Sequence, residues 1–163
     1  MQDPTVTHNT FVIERNFSAS PERVFAALAD PARKRRWFAE GEGSDLLEFE
    51  MDFRVGGAER TRSRLGPGTP VAGLEMLAEA TYLDVVPGRR IVQSASMSVG
   101  GHCISAALAT YELLPAGKGT DLIFTHQAAF FEGADGPEMR QQGWRKILDR
   151  LAQELTSAHE PKS

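Results

Sequence analysis

Few side chains in this sequence could do chemistry, and His126 is the most informative of them. It follows Leu122 and Phe124 at two-residue spacing in a segment of β-forming residues, so the three share one face of a predicted strand. If the two apolar residues face the interior, His126 does as well, and its imidazole could exchange a hydrogen bond or a proton there. The sequence offers no evident acidic partner to orient a catalytic base. We therefore expect His126 to line a pocket, with catalysis as the weaker interpretation.

The other candidates for metal or nucleophilic chemistry are isolated. Cys103 is the single cysteine, which excludes an intrachain disulfide and a cysteine-rich zinc site, and we expect its thiol to be buried and inert. His102 follows a glycine pair and should be an exposed turn residue, while His8 and His159 fall in the terminal segments. Their spacing matches no zinc motif. The sequence thus predicts neither a metal site nor a cofactor.

Basic residues cluster in two places. The run 33–36 (Arg-Lys-Arg-Arg) falls on a predicted short helix, and Arg60, Arg62 and Arg64 alternate along a predicted strand. We interpret both as solvated faces, the alternative being a docking surface for an acidic partner or an anionic headgroup. The chain has 18 Lys and Arg against 22 Asp and Glu, a net charge of −4. This balance argues against nucleic-acid binding, which requires a basic excess.

The order of predicted elements gives the fold class. Residues 11–17 form a first strand, Ser20 caps a helix that starts at Pro21, and Asp30 caps a second short helix. Residues 45–131 alternate between apolar and polar and are divided by glycine and proline turns, which predicts about six further strands. An apolar stripe predicts a helix over 136–156. We therefore predict an α+β helix-grip fold, in which a curved antiparallel sheet of about six to seven strands wraps around a long C-terminal helix, with two short helices after strand one.

The length of 163 residues suits one domain. We divide the chain into a flexible lead over 1–9, a single domain over 10–157 and a frayed tail over 158–163. The N-terminal residues lack the apolar core of a signal peptide, and no apolar run is long enough to span a membrane. Together with the single thiol, this predicts a cytoplasmic protein without a membrane span.

A sheet that curls around one helix tends to leave space between them, and wide apolar side chains facing that space are candidates for ligand binding. Each of them alone could be ordinary core, so the case for a pocket is collective. Tyr82, Trp144 and His126 add polar groups that could orient a ligand. The full predicted set is Trp37, Phe38, Phe53, Met76, Tyr82, Phe124, His126, Phe130, Met139 and Trp144.

Four segments between about residues 10 and 156 resemble, in matching order, motifs of the START-like (SRPBCC) superfamily. Residues 19–31 (ASPERVFAALADP), followed by Trp37-Phe38, resemble its opening motif. Residues 52–57 (DFRVGG) and 119–126 (GTDLIFTH) resemble a turn and a strand of one branch. Gly143-Trp144 with the leucines after it resembles that branch's last helix. The branch is similar to the activator of the heat-shock-protein-90 ATPase.

The resemblance implies a bacterial protein with a helix-grip fold and an internal cavity. Members of the superfamily bind lipids, sterols, polyketides or plant hormones, and a few are cyclases. The leading hypothesis is therefore a protein that binds a small hydrophobic or lipid-like ligand. The alternatives are a chaperone-interaction module and, with less support, a cyclase or hydratase using His126; a homodimer is one further partner to consider. The chain departs from the branch at 39–43 and 130–135, near the expected cavity mouth, which leaves the ligand open.

Overall fold

The computed structural model describes residues 5–41 and 43–157, and in this part of the chain seven strands form one antiparallel sheet. The strands are β1 (Thr7–Phe17), β2 (Ser44–Met51), β3 (Ala58–Leu65), β4 (Glu75–Val86), β5 (Arg90–Val99), β6 (His102–Ala116) and β7 (Gly119–Phe130). The strand order across the sheet is β1-β7-β6-β5-β4-β3-β2, so β1 and β2 are its edges. Because β1 begins at Thr7, the end of the predicted lead pairs with β7.

The helices occupy the positions that the sequence predicts. Helix α1 spans Pro21–Ala29, α2 spans Pro31–Lys34 and continues into a π-helical turn at Arg35–Ala39, and α3 spans Pro137–Thr156. Ser20 Oγ accepts a hydrogen bond from Arg23 N, and Asp30 Oδ1 accepts one from Ala32 N at 2.9 Å. These caps satisfy backbone donors that a helix start leaves without partners. The α+β helix-grip fold is confirmed.

The core lies between the inner face of the sheet, α1 and α3. Leu148, Leu151 and Leu155 form the buried stripe of α3, and Leu122 and Phe124 of β7 are fully buried beneath the helices. β-Bulges interrupt the register of β2, β4 and β6. A bulge increases the local bend and twist of a strand, which helps this sheet to curve around α3.

Two expectations from the sequence are wrong. In the basic run, Arg33 and Lys34 are buried rather than solvated, because Glu154 and Glu59 supply buried carboxylates for them. Cys103 is exposed rather than buried.

The second basic group lies on the outer face, as predicted. The guanidinium groups of Arg60, Arg62 and Arg64 form exposed ion pairs with Glu48 and Glu75 over 3.2–3.8 Å. None of the helices in the described residues is long and apolar enough to cross a membrane.

Candidate functional site in a cavity between the sheet and helix α3

A partly open cavity of about 320 Å³ lies between α3 and the inner face of β3, β4 and β5. This volume is within the range of small-molecule sites, roughly 300–1,000 Å³. Phe38, Met76, Met97, Trp144 and Ile147 are among its apolar lining residues. The remaining lining residues are Ala39, Gly41, Ser44, Thr61, Ser63, Ala78, Asp135, Met139, Arg140, Gly143, Lys146 and Arg150.

Small residues on both walls create the space. A methyl group added at Gly143 of α3 would meet no heavy atom within 4 Å, so the helix surface is open at this point. On the facing wall Ala78 lines the cavity. Next to it, Ala80, Ala95 and Ala107 pair in register across β4, β5 and β6. Directly opposite residues of neighbouring antiparallel strands lie on the same face. By strand alternation this row lies on the same face as Ala78, beside the cavity, and adds only methyl groups to that face.

Arg140 is the buried charge at one end of the cavity. Its guanidinium donates to both carboxylate oxygens of Asp135 at 2.8 Å and to Ser105 Oγ at 3.1 Å, and it lies 5.1 Å from the centre of the Phe130 ring. A two-point Arg–carboxylate pair fixes both groups in orientation. The positive charge of Arg140 is therefore already compensated within the wall.

A second buried ion pair lies beneath Phe38. Lys34 Nζ donates to Glu59 Oε1 at 2.7 Å, and Tyr82 donates its hydroxyl proton to the same oxygen. The ammonium group lies 4.9 Å from the centre of the Phe38 ring, at the distance of a cation–π contact. The pair thus joins α2 to β3 and holds Phe38 at the cavity wall.

Two tyrosines surround this ion pair. Burial, and then the negative charge of Glu59, raise the pKa of Tyr82 and of Tyr111 well above the ordinary value. Both phenols therefore stay protonated at neutral pH. The buried hydroxyl of Tyr111 has no hydrogen-bond partner among the described residues.

Glu154 connects α3 to the same helical segment. Its carboxylate accepts hydrogen bonds from Arg36 Nε and Nη2 at 2.9 Å and from Arg33 Nε at 3.3 Å. The hydrogen bond from Arg36 lowers the pKa of Glu154. Arg150 Nε also donates to the carbonyl of Trp37 at 3.0 Å. These contacts fix the distance between Phe38 and α3, which sets the width of the cavity.

His126 faces the interior with Leu122 and Phe124, as strand alternation predicts, and is 3% exposed. Its ring stacks on Phe11 with the ring centres 4.6 Å apart, and its Nδ1 has no hydrogen-bond partner among the described residues. Burial, and then the charge of Arg140, lower the pKa of His126 to about 4. The imidazole is therefore neutral at pH 7, and no acid in the described part of the chain is hydrogen-bonded to its Nδ1 to orient it as a base.

The predicted ligand-binding set divides into two groups. Phe38, Met76, Met139 and Trp144 line the cavity. The others pack in the core around it: Trp37, Phe53, Tyr82, Phe124, His126 and Phe130. Trp144 of the cavity group contacts Phe124 of the core group, with their ring centres 4.3 Å apart. Within the described residues no three His, Cys, Asp or Glu side chains are grouped so that they could hold a metal ion.

Several residues of the site were not predicted from sequence, and β3 contained a signal for the lining residues Thr61 and Ser63 and for Glu59 beneath Phe38. Glu59, Thr61 and Ser63 alternate with the outward-facing arginines, so the two-residue period places them on the inner face. An acidic residue on a buried strand face requires a buried positive charge as its partner. Met97 carried the same signal, because it follows the buried Ile91 and Gln93 of β5 at two-residue spacing.

Proteins of known structure share this fold over nearly the whole chain. Mll3558 from Rhizobium loti is 46% identical with a TM-score of 0.82, over 93% of this chain and 99% of that one. A protein from Rhizobium leguminosarum is 37% identical with a TM-score of 0.83, over 93% and 96%. CV1439 from Chromobacterium violaceum is 30% identical with a TM-score of 0.74, over 94% and 99%. No curated protein matches the sequence.

The family comparison agrees with the resemblance seen in the sequence motifs. The family model described as "Activator of Hsp90 ATPase homolog 1-like protein" matches residues 18–156. This range includes α1, α3 and every residue that lines the cavity. The chain therefore belongs to the family of Activator of Hsp90 ATPase homolog 1-like proteins, within the START-like fold.

Proposed function

We propose that this protein binds a small hydrophobic molecule in the cavity between α3 and the sheet. The observation that carries the proposal is the open surface at Gly143, which faces a wall of methionine, aromatic and alanine side chains. An apolar wall of adaptable methionines favours the burial of an apolar ligand. The family also supports the proposal, since its members generally bind hydrophobic ligands.

The larger depression on the opposite face of the sheet fits such a ligand less well. Its volume is about 680 Å³, but Glu50, Arg60 and Glu79 are among its lining residues. An apolar ligand there would desolvate charged groups without giving them partners. We therefore assign the ligand to the inner cavity.

Substitution of Gly143 by leucine tests the proposal, because the new side chain would occupy the cavity. The purified protein is examined by native mass spectrometry for a co-purified molecule and then titrated with ethylnaphthalene while its melting temperature is measured. A ligand that binds only the folded state raises the melting temperature with concentration. We expect this rise for the wild type and its loss in Gly143→Leu.

Gln142→Leu is the matched control, since it adds the same side chain to an exposed position of α3. This variant should retain the ligand-dependent rise. The proposal fails if the wild type shows no rise with any apolar ligand, or if both leucine variants bind as the wild type does.

An interaction with a chaperone is the second candidate, and the family description is the observation that favours it. Measurement of the ATPase rate of the heat-shock chaperone, with and without this protein, tests it directly. Stimulation that survives Gly143→Leu would assign this role to a surface other than the cavity.

A further inference from the structure

Strand β1 forms one edge of the sheet and lacks the features that usually protect an edge. Over its 11 residues, Thr7–Phe17, it pairs with β7 without a bulge, and it contains neither proline nor lysine. Natural edge strands are often short, charged or bent by bulges, because their unpaired backbone groups can pair with a strand of another molecule. β1 is therefore a candidate interaction surface.

The opposite edge, β2, has two of these protections. A bulge between Leu46 and Glu48 interrupts its pairing with β3. Asp45, Glu48 and Glu50 make this short strand strongly acidic, so two copies of β2 would repel each other. Of the two edges, β1 is therefore the one that can accept another strand.

The register of β6, β7 and β1 shows which backbone groups of β1 point away from the sheet. Ala116 and Gly119 close a tight turn, so they form a hydrogen-bonded pair. Hydrogen-bonded and non-hydrogen-bonded pairs alternate along both ladders without interruption, so Thr120 of β7 bonds to Phe17 of β1. By the same alternation, the odd-numbered residues of β1 bond to β7, and the even-numbered residues direct their N–H and C=O groups outward.

The outward-directed residues of β1 are all exposed: His8, Thr10, Val12, Glu14 and Asn16. Val12 is an apolar residue and is nevertheless 48% exposed. The outward N–H and C=O groups have no backbone partner among the described residues, although the carbonyl oxygen of Glu14 accepts a hydrogen bond of 3.4 Å from Arg15 Nη1. The edge is therefore a row of backbone donors and acceptors that another strand could satisfy.

The side chains of this edge are complementary to those of a second copy in antiparallel orientation. Hydrogen-bonded pairing requires that outward residues lie opposite outward residues. A two-fold axis at Phe11 meets this requirement and places His8 of one copy opposite Glu14 of the other, with Thr10 opposite Val12. The symmetry forms the imidazole–carboxylate pair twice, and such cross-strand pairs are stabilising. An axis at Val12 would instead place Glu14 opposite Thr10 and lose both pairs.

We propose that two copies of this protein associate through antiparallel pairing of their β1 strands, which joins the two sheets into one and places His8 opposite Glu14 on both sides of the two-fold axis. A strand pairing is a small interface, so we expect a dimer that dissociates on dilution. No residue of β1 lines the cavity. The dimer does not require a ligand, and this inference goes beyond the proposed function.

Charge substitutions test the side-chain register. Sedimentation velocity over a range of concentrations gives the dissociation constant of the dimer for the wild type, His8→Glu, Glu14→Lys and the double variant His8→Glu/Glu14→Lys. His8→Glu places a second carboxylate opposite Glu14 at both pairs, and we expect the dimer to weaken about ten-fold. Glu14→Lys removes the acceptor and should also weaken it. The double variant restores a pair of opposite charges and should recover most of the affinity.

Val12→Pro tests the backbone pairing. The N–H of Val12 points away from β7, so proline at this position removes a hydrogen bond from the dimer but none from the sheet. Circular dichroism checks that the variant is folded, and we expect its dimer to weaken about ten-fold, since two hydrogen bonds are lost per dimer. Glu50→Lys is the control, because it reverses an exposed charge on the other edge of the sheet and should leave the dimer unchanged.

The outcomes separate this inference from ligand binding. A wild type that stays monomeric at millimolar concentration would overturn the inference and leave the cavity as a hydrophobic site. A dimer that neither His8→Glu nor Val12→Pro weakens must form through another surface, which would also overturn it. A double variant that associates no better than His8→Glu would exclude this register. The charge variants decide the question even if Val12→Pro does not fold.

Discussion

Lys34 Nζ lies 2.7 Å from Glu59 Oε1, and both side chains are buried, with exposed fractions of 3% and 4%. One residue comes from α2 and the other from β3, 25 positions apart in sequence. Tyr82 and the ring of Phe38 complete the surroundings of the two charges. The pair therefore acts as a fixed link between the helical segment and the sheet at the edge of the cavity.

Removal of one partner of this pair should be costly. Lys34→Met leaves the Glu59 carboxylate buried without its counter-charge, and we expect the free energy of unfolding to fall by about 3–5 kcal/mol. The double variant Lys34→Met/Glu59→Leu should lose less than the sum of the two single variants, because neither charge is left alone. Urea denaturation of the four proteins measures this coupling.

Arg60→Met provides the control for a charge removed from the opposite face of β3. Arg60 pairs with Glu48, and the Arg60 side chain is 43% exposed. Such exposed ion pairs contribute less than about 1 kcal/mol to the free energy of unfolding. A loss for Lys34→Met no greater than that for Arg60→Met would contradict the role assigned to the buried pair.

Stability should depend on pH through His126. Burial lowers its folded pKa to about 4 from an ordinary 6.5, so the unfolded chain binds the proton more tightly. Stability is then full above pH 6.5 and falls as the pH decreases toward 4. Between pH 7 and 5 the loss from this one group should be about 2 kcal/mol.

His126→Phe tests this assignment, because phenylalanine suits the stack on Phe11 and cannot take up a proton. Urea denaturation of both proteins at pH 7 and pH 5 gives the comparison. The wild type should lose about 2 kcal/mol more than the variant over this interval. An equal loss in both proteins would show that other groups cause the pH dependence.

Local signals were sufficient to predict the fold but only part of the site. Helix starts depend on neighbouring residues such as Ser20 and Asp30, and strand faces depend on two-residue alternation, so both can be read from sequence. The inward orientation of His126 followed from alternation alone. The short helix containing Lys34 was misinterpreted, because the carboxylate that keeps Lys34 buried lies on a strand far along the chain.

The cavity was harder to predict because small side chains in its walls create it. Trp37, Tyr82 and Phe124 are wide and face inward, but tight packing places them in the core. Gly143 and Ala78 are small, and they create the space that a search for large apolar residues overlooks. Whether a side chain fills a gap or borders one depends on the spacing of α3, the helical segment and the sheet, to which contacts between residues far apart in sequence, such as Arg36–Glu154, contribute.

Gly143→Ala should stabilise the protein. Glycine inside a helix costs about 1 kcal/mol relative to alanine, and an added methyl group at Gly143 meets no heavy atom within 4 Å. We therefore expect the free energy of unfolding to rise by about 1 kcal/mol. Gly119→Ala is the opposite case, because its methyl group would lie 2.2 Å from the carbonyl oxygen of Phe17. Thermal unfolding that shows no difference in sign between the two variants would contradict the open surface at Gly143.

Asp135→Asn should change the charge preference of the cavity. In the wild type both carboxylate oxygens of Asp135 engage the guanidinium of Arg140, whose side chain is 8% exposed. The substitution removes the compensating charge, which should lower the free energy of unfolding by about 1–3 kcal/mol. It also leaves a cation in the wall that a carboxylate ligand can pair with.

Naphthoate should therefore bind Asp135→Asn more tightly than it binds the wild type, while ethylnaphthalene should bind both alike. Asp149→Asn removes the same charge from an exposed pair with Arg15, where the aspartate is 65% exposed, and should leave naphthoate binding unchanged. Calorimetric titration of the three proteins measures the difference. If Asp135→Asn binds naphthoate no better than Asp149→Asn does, Arg140 is not accessible to a ligand.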